Sequence, residues 1–246
     1  MNAEANHPPE PQRAFRYFDL VMAAFVAVLI ASNIASSAKI VDWGISLGGL
    51  RLAFDAGTLL FPVSYIFGDI LTEVYGYRRS RRVIWTGFAA LALTAAYFAL
   101  VRAMPGEGAW QDYAGQPAYD AILGGFSSGG LVLASLLAFF AGEFSNSFIL
   151  AKMKLLTRGR HLWARTIGST LVGEAIDSFL FVLVASAAGV FPWQSFWSIA
   201  VANYIFKAAI EIIMTPLTYR LVNFLKKREG EDYYDWHTNF NPFSST

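Results

Sequence analysis

Six apolar runs follow one another along the chain, separated by short polar segments. About 20 residues of helix are enough to span the ~30 Å hydrocarbon core of a bilayer. The runs cover residues 17–36, 52–75, 83–101, 130–152, 166–190 and 196–222. The pattern therefore predicts an all-α membrane protein with six transmembrane helices.

The second predicted span carries two carboxylates in its second half, residues 61–77. Asp69 and Glu73 are four residues apart, so on a helix they share one face. An acid in hydrocarbon is costly, and it normally faces a bundle interior or a wet cavity. We therefore expect this face to line a site or a pathway.

Composition agrees with lipid as the solvent. Of 246 residues, 55% are hydrophobic and only 15% are charged, whereas soluble domains have about 25% charged residues. The chain has no cysteine, which excludes disulfides, thiolate metal sites and cysteine nucleophiles. His7, His161 and His237 all lie outside the predicted spans. We expect no metal site, no cofactor and no catalytic residue.

The cations are distributed unevenly between the two sides of the predicted bundle. Of 19 Lys and Arg residues, two precede the first span and four lie between the second and third. Five lie from Lys152, at the end of the fourth span, to the start of the fifth, and four lie from Arg220, near the end of the sixth, onward. Only Lys39, Arg51 and Arg102 fall on the other side, and Lys207 lies within a span. Because cytoplasmic loops are enriched in cations, both termini are predicted to be cytoplasmic.

Three parts of the chain are expected from this topology. Residues 1–16 lack the apolar core of a signal peptide and are predicted to be a disordered cytoplasmic tail. Residues 17–227 form the transmembrane domain, and residues 228–246 form a cytoplasmic C-terminal tail. Mixed aromatic and polar residues in that tail indicate docking onto the cytoplasmic face. Three plus three spans also allow an inverted repeat, as in many transporters.

Ionisable residues lie deep inside the predicted spans. They are Asp69, Glu73, Glu143, Glu174, Asp177, Lys207 and Glu211. One lysine faces six carboxylates, so several carboxyl groups must be neutral, hydrated or hydrogen-bonded to a ligand.

The spacing of these residues suggests how they are used. Glu174 and Asp177 share a helical face, and Lys207 and Glu211 are placed for an ion pair within the sixth span. Glu143 is expected to join helices together with the neighbouring polar residues. Aromatic residues near the acids are candidates for stacking on a ligand: Tyr65, Phe67 and Phe179.

Paired carboxylates suit a ligand with several N–H donors, because carboxylates accept from amines such as those of a guanine edge. Aromatic side chains can stack on the flat ring of such a ligand. A proton or metal-ion pathway would use the same acids, and the residue types alone do not separate these two possibilities.

Four segments carry a resemblance to a known family. They are Gly68-Asp69-Ile-Leu-Thr72-Glu73-Val-Tyr-Gly76-Tyr-Arg78, Glu174-x-x-Asp177-Ser-Phe, Lys207-x-x-x-Glu211-x-x-x-Thr215-Pro216 and Tyr234-Asp235-x-x-Thr238-x-Phe-Asn241-Pro-Phe243. In these segments the chain resembles the queuosine precursor transporter family, also called the vitamin uptake transporter family. The similarity extends over nearly all of the chain beyond the N-terminal tail.

This resemblance implies a bacterial inner-membrane importer of 7-deazaguanine bases for tRNA modification. The substrates it implies are 7-cyano-7-deazaguanine and its 7-aminomethyl relative, with queuine as a further one. It also implies a homodimer in the lipid bilayer that has no direct contact with nucleic acid. The candidate substrate-binding residues are then Asp69, Glu73, Glu174, Asp177, Lys207, Glu211, Asn203, Tyr65, Phe67 and Phe179.

Other functions fit parts of the same pattern. A substrate-binding subunit of an energy-coupling-factor vitamin transporter is also small and has six spans. A proton- or cation-coupled carrier for another small heterocycle would need the same acids. An intramembrane enzyme is poorly supported, although two acids such as Asp69 and Asp177 could share a proton.

Overall fold

The computed structural model describes residues 15–47, 50–127, 129–189 and 192–244. Within these ranges the chain forms eight α-helices and one antiparallel pair of strands. The helices are α1 Phe18–Ala38, α2 Phe61–Ile70, α3 Tyr77–Ala103, α4 Gly108–Tyr113, α5 Gly115–Ser127, α6 Gly129–Leu156, α7 Leu162–Ala187 and α8 Phe196–Glu229. The strands are β1 Ile40–Leu47 and β2 Leu50–Asp55.

Five of the helices are long and apolar enough to cross a membrane: α1, α3, α6, α7 and α8. Their lengths match the number of helical residues that a bilayer core requires. The chain is therefore a multi-pass, predominantly α-helical membrane protein. The N-terminal tail predicted over residues 1–16 lies outside the described residues up to position 14.

The second predicted span, residues 52–75, is wrong in its first part. Residues 50–55 form β2, which pairs with β1 in a register that joins Ile40 to Asp55 and Leu47 to Leu50. Apolar and polar residues alternate here with the period of a strand. The helix α2 begins only at Phe61, where Pro62 occupies one of the first helical positions and needs no hydrogen-bond acceptor for its nitrogen.

The helix α2 continues into a π-helical turn, Leu71–Tyr75. A π-helical turn inserts one residue into the α-helical repeat and often occurs at a functional site. The turn ends at Gly76, whose φ of 86° favours glycine. The ring of Tyr233 lies against this glycine, so a side chain at position 76 would also displace the C-terminal segment.

Residues 56–75 run back alongside α1 in the opposite direction. Gly57 lies against Ser32 and Ser36 near the end of α1. At the other end, the ring centroid of Tyr75 lies 5.1 Å from that of Phe18, at the start of α1. Phe18 and Ser36 are separated by about 27 Å of helix at 1.5 Å per residue, so this short segment covers most of the length of the bundle.

The helices α6 and α7 pack closely because both present a glycine at their crossing. A β-carbon built on Gly173 would lie 3.0 Å from the carbonyl oxygen of Gly142 and 2.9 Å from the β-carbon of Asn146. Tyr65 of α2 packs against the same crossing and is completely buried. Small residues of this kind let membrane helices approach each other.

We predict that Gly173→Ala destabilises the protein, because the added methyl group would push α6 away from α7. Overpacking of this kind costs about 1–3 kcal/mol, and thermal unfolding in detergent would measure it. Gly108→Ala is the matched control, since a β-carbon there meets no atom within 4 Å. Equal stability of the two variants would contradict the close crossing.

Candidate functional site

The described chain contains two groups of charged residues, most of them buried, at different levels of the bundle. The first lies at the end where α1, α3 and α7 begin and α6 and α8 finish, and we call it the basic-end cluster. It consists of Glu73, Lys154, Arg165, Lys226 and Asp232. The second lies deeper between the helices, and we call it the buried acid group. It consists of Asp69, Glu143, Glu174, Asp177, Glu211 and Lys207.

Glu73 is the centre of the basic-end cluster. Its Oε1 atom lies 2.7 Å from Arg165 Nη2 and 2.6 Å from Lys226 Nζ. Lys154 Nζ lies 3.5 Å from the same oxygen and donates to the backbone carbonyl of Glu73 at 2.6 Å. One carboxylate in the π-helical turn therefore joins α6, α7 and α8.

Asp232 connects the C-terminal tail to this cluster. It lies 2.6 Å from Lys154 Nζ and 2.8 Å from Lys226 Nζ. Partial burial alone would raise the pKa of Asp232, but the hydrogen bonds from these two lysines hold that pKa below its ordinary value. The stability that Asp232 contributes is therefore present above about pH 4 and is lost as the pH falls further.

The rest of the tail follows the start of α3. The backbone N–H of Tyr77 donates to both carboxylate oxygens of Asp235 at 3.1 Å. Arg81 donates to the carbonyls of Asn239 and Asn241, and Trp85 Nε1 donates to the carbonyl of Pro242. The tail therefore docks onto this end of the bundle.

The two ends of the membrane domain also meet at the basic end. The backbone N–H of Tyr17 donates to Glu229 Oε1 at 2.7 Å, and the hydroxyl of Tyr75 donates to the same atom at 3.0 Å. The start of α1 and the end of α8 therefore lie on one side, as the distribution of cations predicted.

Three carboxylates of the buried acid group already have partners. Asn146 Nδ2 donates to Asp69 Oδ1 at 3.0 Å. Lys207 forms a close ion pair with Asp177 and lies 3.6 Å from Glu174 Oε2. The ammonium of Lys207 also lies 4.1 Å from the ring centroid of Phe61, a distance at which a cation is attracted by an aromatic ring.

Other polar atoms of this region are buried without a hydrogen-bond partner among the described residues. They are Tyr65 Oη, Asp69 Oδ2, both carboxylate oxygens of Glu143, Asn146 Oδ1, both carboxylate oxygens of Glu174 and Glu211 Oε2. Native proteins pair nearly all such atoms. Five buried carboxyl groups near a single lysine therefore form a site that is suited to N–H donors.

The candidate residues from the sequence separate into different places. Asp69, Glu174, Asp177, Lys207, Glu211 and Tyr65 come together, while Glu73 lies in the basic-end cluster. Asn203 is half-buried one turn before Lys207 on α8. Phe67 packs against the main hydrophobic cluster. Phe179 is 43% exposed and lies beside Phe196 and Trp197.

The expected ion pair between Lys207 and Glu211 is corrected by the structure. Lys207 reaches across to Asp177 and Glu174 on α7 rather than along its own helix. A lysine side chain is long enough to choose between a neighbour on its own helix and one on a packed helix, and helical spacing does not distinguish them. The structure also brings Glu143 into the acid group, a role that sequence reasoning missed.

Over the described ranges, no three acidic or histidine side chains lie close enough together to hold a metal ion. The arrangement is one of carboxylates supported by an amide, a phenol and an ammonium group.

Comparison with known proteins identifies the family. Residues 55–221 match the family described as "Putative vitamin uptake transporter", and the chain belongs to this family. This range contains every member of the buried acid group.

Three curated relatives carry a more specific description. A "Probable queuosine precursor transporter" of Bacillus subtilis is 30% identical over 66% of this chain and 69% of its own length. The "Queuosine precursor transporter" of Escherichia coli is 24% identical over 79% of this chain and 84% of its own length. A "Probable queuosine precursor transporter" of Haemophilus influenzae is 23% identical over 68% of this chain and 67% of its own length. No solved structure matches the chain.

We predict that Glu73→Gln strongly destabilises the protein, because it leaves buried cations without their shared anion. Breaking a buried ion pair by removing one partner costs about 3–5 kcal/mol. Thermal unfolding in detergent would measure the loss.

The control for this prediction is Asp120→Asn, which removes the exposed pair between Arg102 and Asp120. Exposed pairs contribute little, so this variant should unfold like the wild type. A Glu73→Gln protein as stable as this control would show that the basic-end cluster does not hold the helices together.

Proposed function

We propose that this protein imports 7-deazaguanine bases, the precursors of queuosine, across the inner membrane of a bacterium. The substrates are 7-cyano-7-deazaguanine, its 7-aminomethyl relative and queuine. The buried acid group binds the base, and the protein performs no covalent chemistry on it. The observation that carries the proposal is the set of buried carboxyl oxygens without partners between α2, α6, α7 and α8.

The chemistry of these bases supports the assignment. A guanine-type edge presents a ring N–H and an exocyclic amine side by side, and a carboxylate can accept both hydrogens. The carbonyl oxygen of the base needs a donor, which the phenol of Tyr65 or the ammonium of Lys207 can supply. The names of the relatives independently give the same class of substrate.

The position of the group supports transport rather than a surface binding site. Asp69 lies on the short helix α2, which runs back alongside α1 and is buried over most of its length. Many transporters bind substrate at short or interrupted helices near the middle of the membrane. We propose that residues 56–75 complete a sixth crossing, with the two halves of three spans related by an inverted repeat.

The proposed topology follows from the basic end. Because cytoplasmic segments carry the excess of cations, we place the basic-end cluster, both termini and the tail of residues 228–246 in the cytoplasm. Residues 17–227 form the membrane domain, which acts as a homodimer. In this orientation the basic-end cluster lies on the cytoplasmic side of the membrane domain.

We predict that the purified protein in detergent binds 7-cyano-7-deazaguanine saturably, and that Asp69→Asn weakens binding at least about tenfold. The expected loss follows from replacing one of the two acceptor oxygens of Asp69 by an NH₂ donor, which leaves a buried N–H of the base without its partner. Isothermal titration calorimetry would measure both affinities.

The matched control is again Asp120→Asn, the same chemical change at an exposed position, which should bind like the wild type. Folded wild-type protein that fails to bind any purine-like base would contradict the proposed substrate. Uptake into liposomes that contain only this protein would exclude dependence on a partner ATPase.

We predict a defined orientation that cysteine labelling can test, since the chain has no cysteine of its own. In intact spheroplasts, an impermeant maleimide should label Asp112→Cys, which lies on the exposed helix α4. It should label Lys227→Cys, at the end of α8, only after the membrane is permeabilised. The reverse pattern would place the basic end outside the cytoplasm.

A further inference from the structure

We propose that Glu143 is the residue that determines specificity in this site, because its carboxylate accepts the paired N–H donors of the guanine-type edge. This inference rests on the proposed function and adds to it the residue that recognises the donor edge of the substrate. Glu143 lies in α6, outside the four segments that carry the family resemblance.

Glu143 is completely buried, and neither of its carboxylate oxygens has a hydrogen-bond partner. Among the described residues, no cation lies within ion-pair distance of it. A buried carboxyl group left in this state is costly, so the group is explained better by a partner that arrives from outside the chain.

The other buried carboxylates are less available. Glu73 is bound by the cations of the basic-end cluster, and Asp177 by Lys207. Glu174 lies 3.6 Å from the same lysine, and Asp69 already accepts a hydrogen bond from Asn146. Glu211 has one buried oxygen without a hydrogen bond. Within the buried acid group, Glu143 alone has two such oxygens and no neighbouring cation.

The carboxylate of Glu143 lies against α2, at a place where that helix carries no side chain. A β-carbon built on Gly68 would lie 2.6 Å from Glu143 Oε2, so this carboxylate rests against bare backbone. The next residue back, Gly142, has the hydroxyl of Tyr65 against it: a β-carbon there would lie 2.5 Å from Tyr65 Oη. Tyr65, Gly68 and Glu143 therefore lie next to one another, and we place the ring of the base and its donor edge beside them.

The chemistry predicts which part of the substrate Glu143 recognises. Two parallel N–H donors match the two oxygens of one carboxylate, and such bidentate pairs add geometric specificity to their strength. A site built to pair with an amine rejects the analogue that lacks it, because a buried acceptor is then left unpaired. We expect removal of the 2-amino group to weaken binding by about tenfold to a hundredfold.

The experiment combines two ligands with several protein variants. Calorimetry would compare 7-cyano-7-deazaguanine with 7-cyano-7-deazahypoxanthine, which lacks the 2-amino group, on wild type, Glu143→Gln and Asp120→Asn. Wild type and Asp120→Asn should bind the amine-bearing base about tenfold to a hundredfold more tightly than the base without the amine. Glu143→Gln should bind it more weakly and lose most of the preference, since an amide presents only one acceptor oxygen.

A second variant keeps the test decisive if Glu143→Gln does not fold. Glu143→Asp retains the carboxylate but withdraws it by one methylene, so it should reduce the preference while leaving the rest of the site unchanged. Thermal unfolding of each variant would verify that the compared proteins are folded.

The outcomes separate this inference from the proposed function. If the wild type binds neither base, the proposed function fails. If the wild type binds both bases equally, the 2-amino group does not contribute to specificity and the proposed role of Glu143 is overturned. If a folded Glu143 variant binds more weakly but keeps the full preference, Glu143 contributes to affinity without determining specificity, and the inference is again overturned.

Discussion

The free-energy cost of burying a charge away from water explains the surroundings of the buried acids of this protein. Asp69 and Glu73 are one turn apart on the same short segment, yet they have different surroundings. Glu73 is compensated by three cations from three helices. Asp69 has one amide donor and lies among further carboxylates. The first environment pairs one oxygen of its carboxylate with cations of the chain, whereas the second holds several buried acceptors without a partner.

The fold follows from the sequence wherever lipid is the dominant constraint. Six apolar runs predicted six spans, and five of these runs correspond to the long helices of the structure. The distribution of Lys and Arg predicted that the two ends of the membrane domain share one side. The hairpin of β1 and β2 was missed because hydropathy alone cannot tell a short apolar strand from the start of a helix. The position of Pro62 is the local signal that marks where α2 begins.

The sequence predicted the types of residue that form the candidate site, but it identified only some of the individual residues. An acid inside a span indicates a polar environment, so Asp69, Glu174, Asp177 and Glu211 could be found from the sequence. Which residue each acid pairs with could not be found from the sequence, because the pairing depends on which helices pack together. Arg165 and Lys154 count as loop cations in the sequence and become buried partners of Glu73 in the structure. Glu143 joins the acid group only because glycines at positions 68, 142 and 173 bring α2, α6 and α7 close.

We propose that substrate binds among the carboxylates between α2, α6, α7 and α8. The most direct measurement is the position of 7-cyano-7-deazaguanine in an experimental structure of the complex. We expect the base to lie within hydrogen-bond distance of Glu143, with its ring close to Tyr65 and Gly68. A base bound at the basic-end cluster, or outside the bundle, would contradict the proposal.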